Sequence, residues 1–243
     1  MRQIYLIAAC TLLAVNAPAY ASNPYLADGN EPKLELWLPK APADNSISEA
    51  TDLNAYFSTR PEVGAARGKI AADDNVYTAA DVVLRFGDAL GFALNAENAP
   101  NLVAMMDRVT KDSELMLKPI KQPVANGGRV RPYGRFGSLA ACPHEIDDQK
   151  WGLNASGSYP SGHATLGWLW GLMLSELVPD KSDTVMAKAY EFGESRLICG
   201  FHYPSDLVAG RLAASSLMAK LHANPDFQKD LDKAMQEIAK AKK

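Results

Sequence analysis

The segment that follows Gly162 constrains this chain most. Leu166, Trp168, Leu169, Trp170, Leu172, Met173 and Leu177 put apolar side chains on most faces of one helix. A helix that is apolar all round must be enclosed by protein or by lipid. At roughly 14 residues it falls short of the ~20 that a bilayer span requires. It therefore predicts a central helix covered by other helices. Candidates for those covers are easily found. Val82, Val83, Phe86, Leu90 and Phe92 recur at near-helical spacing between Ala79 and Leu94, and Leu102, Met105, Met106 and Val109 do so between Ala99 and Lys118. A helical pattern also starts near Ala50, and Ser182 to Ser195 reads as another helix. Pro204 to Leu221 is a further one, with proline suited to its first turn. The last segment sets Phe227, Leu231, Met235 and Ile238 on one face and Lys and Asp on the other, as a solvated amphipathic end helix would. Alternating strand patterns are scarce and no internal repeat is visible. The expected fold class is all-α, a single-domain helical bundle.

The N-terminus reads differently. Met1-Arg2 begin a short positive start, Ile4 to Val15 are mostly apolar, and Ala19-Tyr20-Ala21 is a small-x-small cleavage pattern. Residues 1–21 are expected to be a cleaved secretory signal peptide and the mature chain to be exported; the alternative is a buried N-terminal helix or an uncleaved anchor. Residues 22–48, rich in Pro, Asn and Ala without a sustained period, are expected to form an extended arm leading into a domain that spans 22–243. Cys10 leaves with the signal. Cys142 and Cys199 then remain, either as one disulfide or as two separate buried thiols. Without C-x-x-C spacing they argue against a zinc site. A formal net charge of −3 offers no basic field for a nucleic-acid backbone. No segment after the signal is long enough for stable membrane insertion. A homo-oligomer is left open.

Residues 122–160 collect most of the turn signals, among them Pro123, Gly127-Gly128, Pro132, Gly137, Pro143, Gly152 and Pro160. A connection that long in a compact domain is usually a functional loop. It ends on Pro160-Ser161-Gly162-His163, where the loop enters the apolar helix. Helix N-termini carry unpaired N–H groups and the positive end of the dipole, so a Ser-Gly pair there can seat an anion. The bland alternative is an ordinary Ser N-cap beside a capping His. A second cluster is Ser195-Arg196, His202 and Asp206. With a helix starting near His202, the His and Asp would share one face. A carboxylate on one imidazole nitrogen leaves the other as nucleophile or base, and Arg196 would supply a planar fork for phosphate oxygens. Here the alternative is a structural His-Asp pair with an exposed Arg. A third cluster is Arg129-Val130-Arg131-Pro132, preceded by Lys118 and Lys121. Cations in a turn-rich loop make sense if they face an anion; otherwise they are solvated surface charge.

In combination, Arg131-Pro132, Pro160-Ser161-Gly162-His163 and Ser195-Arg196 with His202 and Asp206 resemble the signature of the type 2 phosphatidic acid phosphatase superfamily. The stretches Gly157 to His163, Ser195 to His202, Leu221 to Pro225, and Arg67-Gly68-Lys69 to Phe92 are similar to the bacterial class A nonspecific acid phosphatases, so the likeness covers most of the mature chain. It implies an all-α phosphomonoesterase exported to the periplasm and working at acidic pH through a phosphohistidine, with no cofactor required and inorganic phosphate as product. Phosphotransfer to other alcohols is a further implied outcome. By the same resemblance His202 is the nucleophile, Asp206 orients it and His163 is the general acid. Arg131 and Arg196 clamp phosphate, with Ser161 and Gly162 adding hydroxyl and backbone donors. It also implies a Cys142–Cys199 disulfide. One departure stands out. The family pattern has a Lys seven residues before the Arg of Arg-Pro, and here that position is Val124. Lys121 lies ten residues before Arg131, which implies a three-residue insertion and makes Lys121 the candidate for that role, with Lys118 as runner-up. Two other readings share the anion pocket. One is a vanadate-dependent haloperoxidase, disfavoured by the short chain. The other is a non-catalytic phosphate-binding protein, favoured only by the displaced lysine.

Overall fold

The computed structural model describes residues 23–26, 29–137, 152 and 155–242. The expected signal peptide and Cys142 lie outside the described residues. Among those described, regular structure is helical: α1 (Ile47–Ser58), α2 (Ala66–Asp73), α3 (Ala79–Leu90), α4 (Pro100–Leu117), α5 (Pro132–Phe136), α6 (Gly162–Leu177), α7 (Ser182–Ile198), α8 (Pro204–Leu221) and α9 (Pro225–Ala241), with short 3-10 turns between some of them. The all-α expectation holds, and no helix among the described residues is long and apolar enough to cross a membrane.

Helix ends follow local chemistry. Ser46, Thr78, Ser161 and Asn224 each accept a backbone N–H of the first turn from the N-cap position. Proline opens α4, α5, α8 and α9, where its missing N–H costs nothing. Gly91 ends α3 at φ +78°, a left-handed cap that a side chain would strain.

The apolar helix α6 lies at the centre, packed by α7 and α8 and also touched by α4 and α9. Leu169, Trp170, Met173 and Leu174 are buried on it. Two glycines one turn apart set how close α7 comes. A Cβ on Gly167 would sit 2.5 Å from the Phe192 ring, and one on Gly171 would overlap the Ala189 Cβ. Gly210 does the same for α8, since a Cβ there would lie 2.6 Å from the Ser161 carbonyl oxygen at the start of α6. These approaches draw the α7–α8 turn against the N-terminus of α6. The arm is docked too. The Tyr25 and Leu26 amides donate to the buried Asp112 carboxylate at 2.9 and 2.8 Å, and the Tyr25 ring meets Phe227 edge-on.

The 122–160 segment holds a 3-10 turn at Val124–Asn126 and α5. Three expectations need correction. Helix α7 runs to Ile198, three residues beyond the expected end, which brings Arg196 into its last turn. In α9, Met235 is half exposed and Ala234 takes the inward position, because the turn packs closely on its neighbours. Finally, α8 begins after His202, so His202 and Asp206 do not share a helical face. Replacing Gly171 by Val should drive α6 and α7 apart and destabilise the fold by about 1–3 kcal/mol, read as a lower thermal midpoint.

Candidate active site

Two chain segments meet at the start of α6. Ser161 accepts the Ala164 N–H at 3.2 Å and caps the helix, so its own hydroxyl proton remains to be donated. The Ser161 amide donates to the Asp206 carbonyl at 3.0 Å, which joins this motif directly to the start of α8. His163 follows in the first turn, stacked on Phe192 of α7 with ring centres 4.2 Å apart. Its Nε2 lies 2.9 Å from the Asp74 carbonyl oxygen, which can only accept, so Nε2 carries the proton.

On the other side, α7 ends and the chain turns through Gly200 at φ +79° before His202. Asp206, in the first turn of α8, reaches back to accept the Tyr203 amide at 2.9 Å. That backward reach, not helical periodicity, sets its Oδ2 3.5 Å from His202 Nδ1. The Ser158 hydroxyl donates to the same carboxylate, and Arg129 donates to its other oxygen at 2.8 Å. Arg129 also reaches Asp52 of α1 at 2.7 Å and Ser205 at 2.8 Å. The second ring nitrogen of His202, Nε2, is 3.1 Å from Arg131 Nη1. Arg131 further donates to the carbonyls of Ser156, Gly157 and Phe201. The Arg196 Cζ sits 4.1 Å from the centre of the Phe201 ring, and the guanidinium donates to Asn75 Oδ1 and the Tyr77 hydroxyl.

Lys121, Arg131, Gly162, His163, Arg196 and His202 line one cavity of about 260 Å³. The rest of its lining is Leu117, Leu166 and Tyr77, with Ser113, Glu114 and Lys118. The ionisation states follow from this setting. Burial, reinforced by Arg131, pushes His202 well below the usual imidazole range against the pull of Asp206, so its ring is neutral. Burial would raise Asp206, yet the hydrogen bond from His202, the charge of Arg129 and the Ser158 hydroxyl hold the carboxyl at about 2. Burial, then the charge of Arg131, lowers Lys121 to about 7. His163 is also driven well below its ordinary value, by burial first and Arg196 second. Both shifts favour the neutral imidazole, so burial works against the expectation of a protonated His163 beside a neutral His202. A bound phosphate would counter the charge of Arg196, the second cause of the lowered His163.

The structure thus brings together His202, His163, Asp206, Lys121, Arg131, Gly162 and Arg196, with Ser161 at the adjoining cap. Both lysine candidates reach the cavity, but Lys118 is exposed at its rim while the Lys121 ammonium is bonded to the Pro160 carbonyl at 2.7 Å. Gly127, at φ +85°, and Gly128, whose amide donates to the Pro123 carbonyl at 2.9 Å, close the loop after Lys121 into a tight turn. That turn leaves Lys121 beside Pro160. The Cys142–Cys199 pairing falls on Cys142, outside the described residues; Cys199 itself is fully buried. Sequence reasoning missed Asp52, Asp74, Asn75, Tyr77, Ser158 and Ser205 as supports and counted Arg129 only among the cations. Their polarity is ordinary and their partners are remote in the chain, so no local pattern marks them.

Comparison with known proteins gives consistent matches. The PAP2 superfamily pattern matches residues 127–226. The chain is 37% identical over 207 residues to a non-specific acid phosphatase of Providencia stuartii, covering 85% of this chain and 81% of that one. It is 33% identical over 207 residues to an acid phosphatase of Zymomonas mobilis, covering 85% and 76% respectively. A non-specific acid phosphatase of Salmonella typhimurium is 29% identical over 98% of this chain and 93% of its own.

Arg129 joins two buried carboxylates that nothing of equal charge would replace. Arg129→Met should cost about 3–5 kcal/mol in urea unfolding, because Asp52 and Asp206 are left buried without their shared cation.

Proposed function

The chain belongs to the PAP2 superfamily, and from that footing we propose that it is an exported acid phosphatase that hydrolyses phosphomonoesters of broad range through a phosphohistidine. The observation that carries the reading is the convergence of Lys121, Arg131, His163, Arg196 and His202 on one cavity. The relatives named acid phosphatase support the activity. Export rests on the N-terminal pattern of residues 1–21 and on the expectation that an acid phosphatase works outside the cytoplasm. The Cys142–Cys199 disulfide belongs to the same proposal, and an unreduced intact mass would reveal it as two missing hydrogen atoms.

The residues suit the steps. A tetrahedral phosphoryl group needs its oxygens neutralised and its phosphorus held in line with the nucleophile. Arg131, Arg196 and Lys121 supply positive charge, while the Ser161 hydroxyl and the N–H groups opening α6 supply donors. Three fixed cations can perform the neutralisation that metal ions perform in other phosphoryl-transfer sites, so no cofactor is invoked. His202 Nε2 attacks phosphorus as the P–O bond to the alcohol breaks. The ring is neutral beforehand and becomes cationic as it takes the phosphoryl group. Asp206, anionic down to about pH 2, faces the Nδ1 proton and offsets that charge. His163 gives a proton to the departing alkoxide. At mildly acidic pH the ester is itself largely a monoanion, since the second phosphate pKa is about 6, so the substrate brings a proton with it. His163 then returns to the base form and takes a proton from the water that attacks the phosphohistidine. An alcohol in place of that water would give phosphotransfer from the same intermediate.

Three outcomes test this. His202→Ala should abolish hydrolysis of an aryl phosphate, and acid quenching of the wild type with labelled substrate should trap label on His202; label elsewhere overturns the assignment. On pH, a lysine at about 7 is charged below that value and neutral above it. The kcat/KM of the wild type should therefore fall as pH rises through about 7. In Lys121→Gln, kcat/KM should fall about 10²-fold in the acid range and lose part of this alkaline decline.

A further inference from the structure

The turn between α2 and α3 supports the cavity from a part of the chain that precedes residues 127–226, the span of the superfamily match. Its first residue, Asp74, has no exposed surface. The carboxylate receives Arg85 Nε and Nη2, both at 3.1 Å, Lys188 at 3.0 Å and the Ser195 hydroxyl at 2.7 Å. Those donors come from α3 and α7, so the turn is pinned to two helices. The same residue's carbonyl takes His163 Nε2. One residue on, Asn75 Oδ1 takes one guanidinium nitrogen of Arg196, and the Tyr77 hydroxyl, 2.9 Å from the other, closes the set by donating to Asn75 at 3.1 Å. The Tyr77 ring also meets His163 edge-on at 5.3 Å.

We propose that the turn Asp74–Tyr77 is a positioning element of the active site, with the Asp74 carbonyl setting the tautomer and aim of His163 and the Asn75 and Tyr77 oxygens setting the plane of Arg196. The inference rests on the acid phosphatase reading, because it assigns His163 to the leaving group and Arg196 to the phosphoryl oxygens. Its physical basis is tautomer control. A carbonyl oxygen accepts only, so the proton that it binds on Nε2 cannot migrate, and Nδ1 is left as the nitrogen that gains and gives a proton. The Asp74 carbonyl also favours the protonated ring, against burial, Arg196 and His202. Arg196 has the analogous problem. Over the Phe201 ring alone it could swing about its stem, and the Asn75 and Tyr77 oxygens fix the fork for a tetrahedral anion. The Ser195 next to Arg196 thereby gains a role as well. It pins Asp74 and does not reach for substrate.

Two kinds of variant separate the roles. Asp74→Asn keeps the shape but releases Arg85 and Lys188, so the turn loses its anchor and His163 its aim. A misplaced general acid hurts poor leaving groups most, because they carry more charge in the transition state. The kcat/KM of Asp74→Asn should fall about tenfold more for an alkyl phosphate than for p-nitrophenyl phosphate. Should this variant not fold, Ser195→Ala, which removes one anchor of the carboxylate, is expected to shift the same ratio in the same direction. Tyr77→Phe should weaken inhibition by inorganic phosphate about fivefold, the value of one hydrogen bond, with the ratio between the two esters unchanged. An unchanged ester ratio in the folded Asp74 or Ser195 variant, or an equal fall for both esters, overturns the His163 half. Unaltered phosphate inhibition in Tyr77→Phe overturns the Arg196 half. A wild-type chain that hydrolyses neither ester overturns the phosphatase reading itself and the positioning roles with it.

Discussion

Asp206 has no solvent-exposed surface, and its negative charge must be met by donors from several parts of the chain. Arg129 comes from the loop before α5, Ser158 from the loop before α6, and the Tyr203 amide from the turn that opens α8. The carbonyl of the same residue takes the Ser161 amide. A buried carboxylate is tolerable only when it is fully bonded. Satisfying this one group therefore places His202, the N-terminus of α6 and the loop residues Arg129 and Ser158 relative to one another.

The cavity that results is electrostatically lopsided. Lys121, Arg131 and Arg196 share about 260 Å³ with Leu117, Leu166 and Tyr77. Burial has already taken Lys121 down to about 7 and both imidazoles well below their ordinary range. An anion seated there meets Lys121, Arg131 and Arg196 together. The positive groups are held rigid by the scaffold and not by the substrate, so reorganisation at the moment of reaction is small. Close packing makes this rigidity available: Gly167, Gly171 and Gly210 let α7 and α8 come close to α6, and the site sits where those three helices meet.

Much of this arrangement is legible in the chain. The apolar run after Gly162, the N-caps and the prolines that open helices are local signals, and the helices appear where those signals lie. The short motifs around Arg131, His163 and His202 mark cavity residues, because phosphoryl chemistry requires those side chains whatever surrounds them. Local signals fail where a partner is distant. His202 and Asp206 were expected to face each other along a helix, whereas the carboxylate folds back on its own N-terminal turn. Met235 has the right spacing for burial, but Ala234 fits the packed side of α9. Arg129 reads as one cation among several and becomes a bridge between Asp52 and Asp206.

By itself, then, the amino-acid order determined the all-helical class, the central helix and the residue types that meet phosphate. Those follow from hydrophobic periodicity and from the donors that a tetrahedral anion demands. Only the tertiary structure decided which groups hold the catalytic candidates in place, which of two lysines is enclosed, and how far each ionisation moves. Burial, dielectric and the distance between charges exist only once α2, α6, α7 and α8 have packed together.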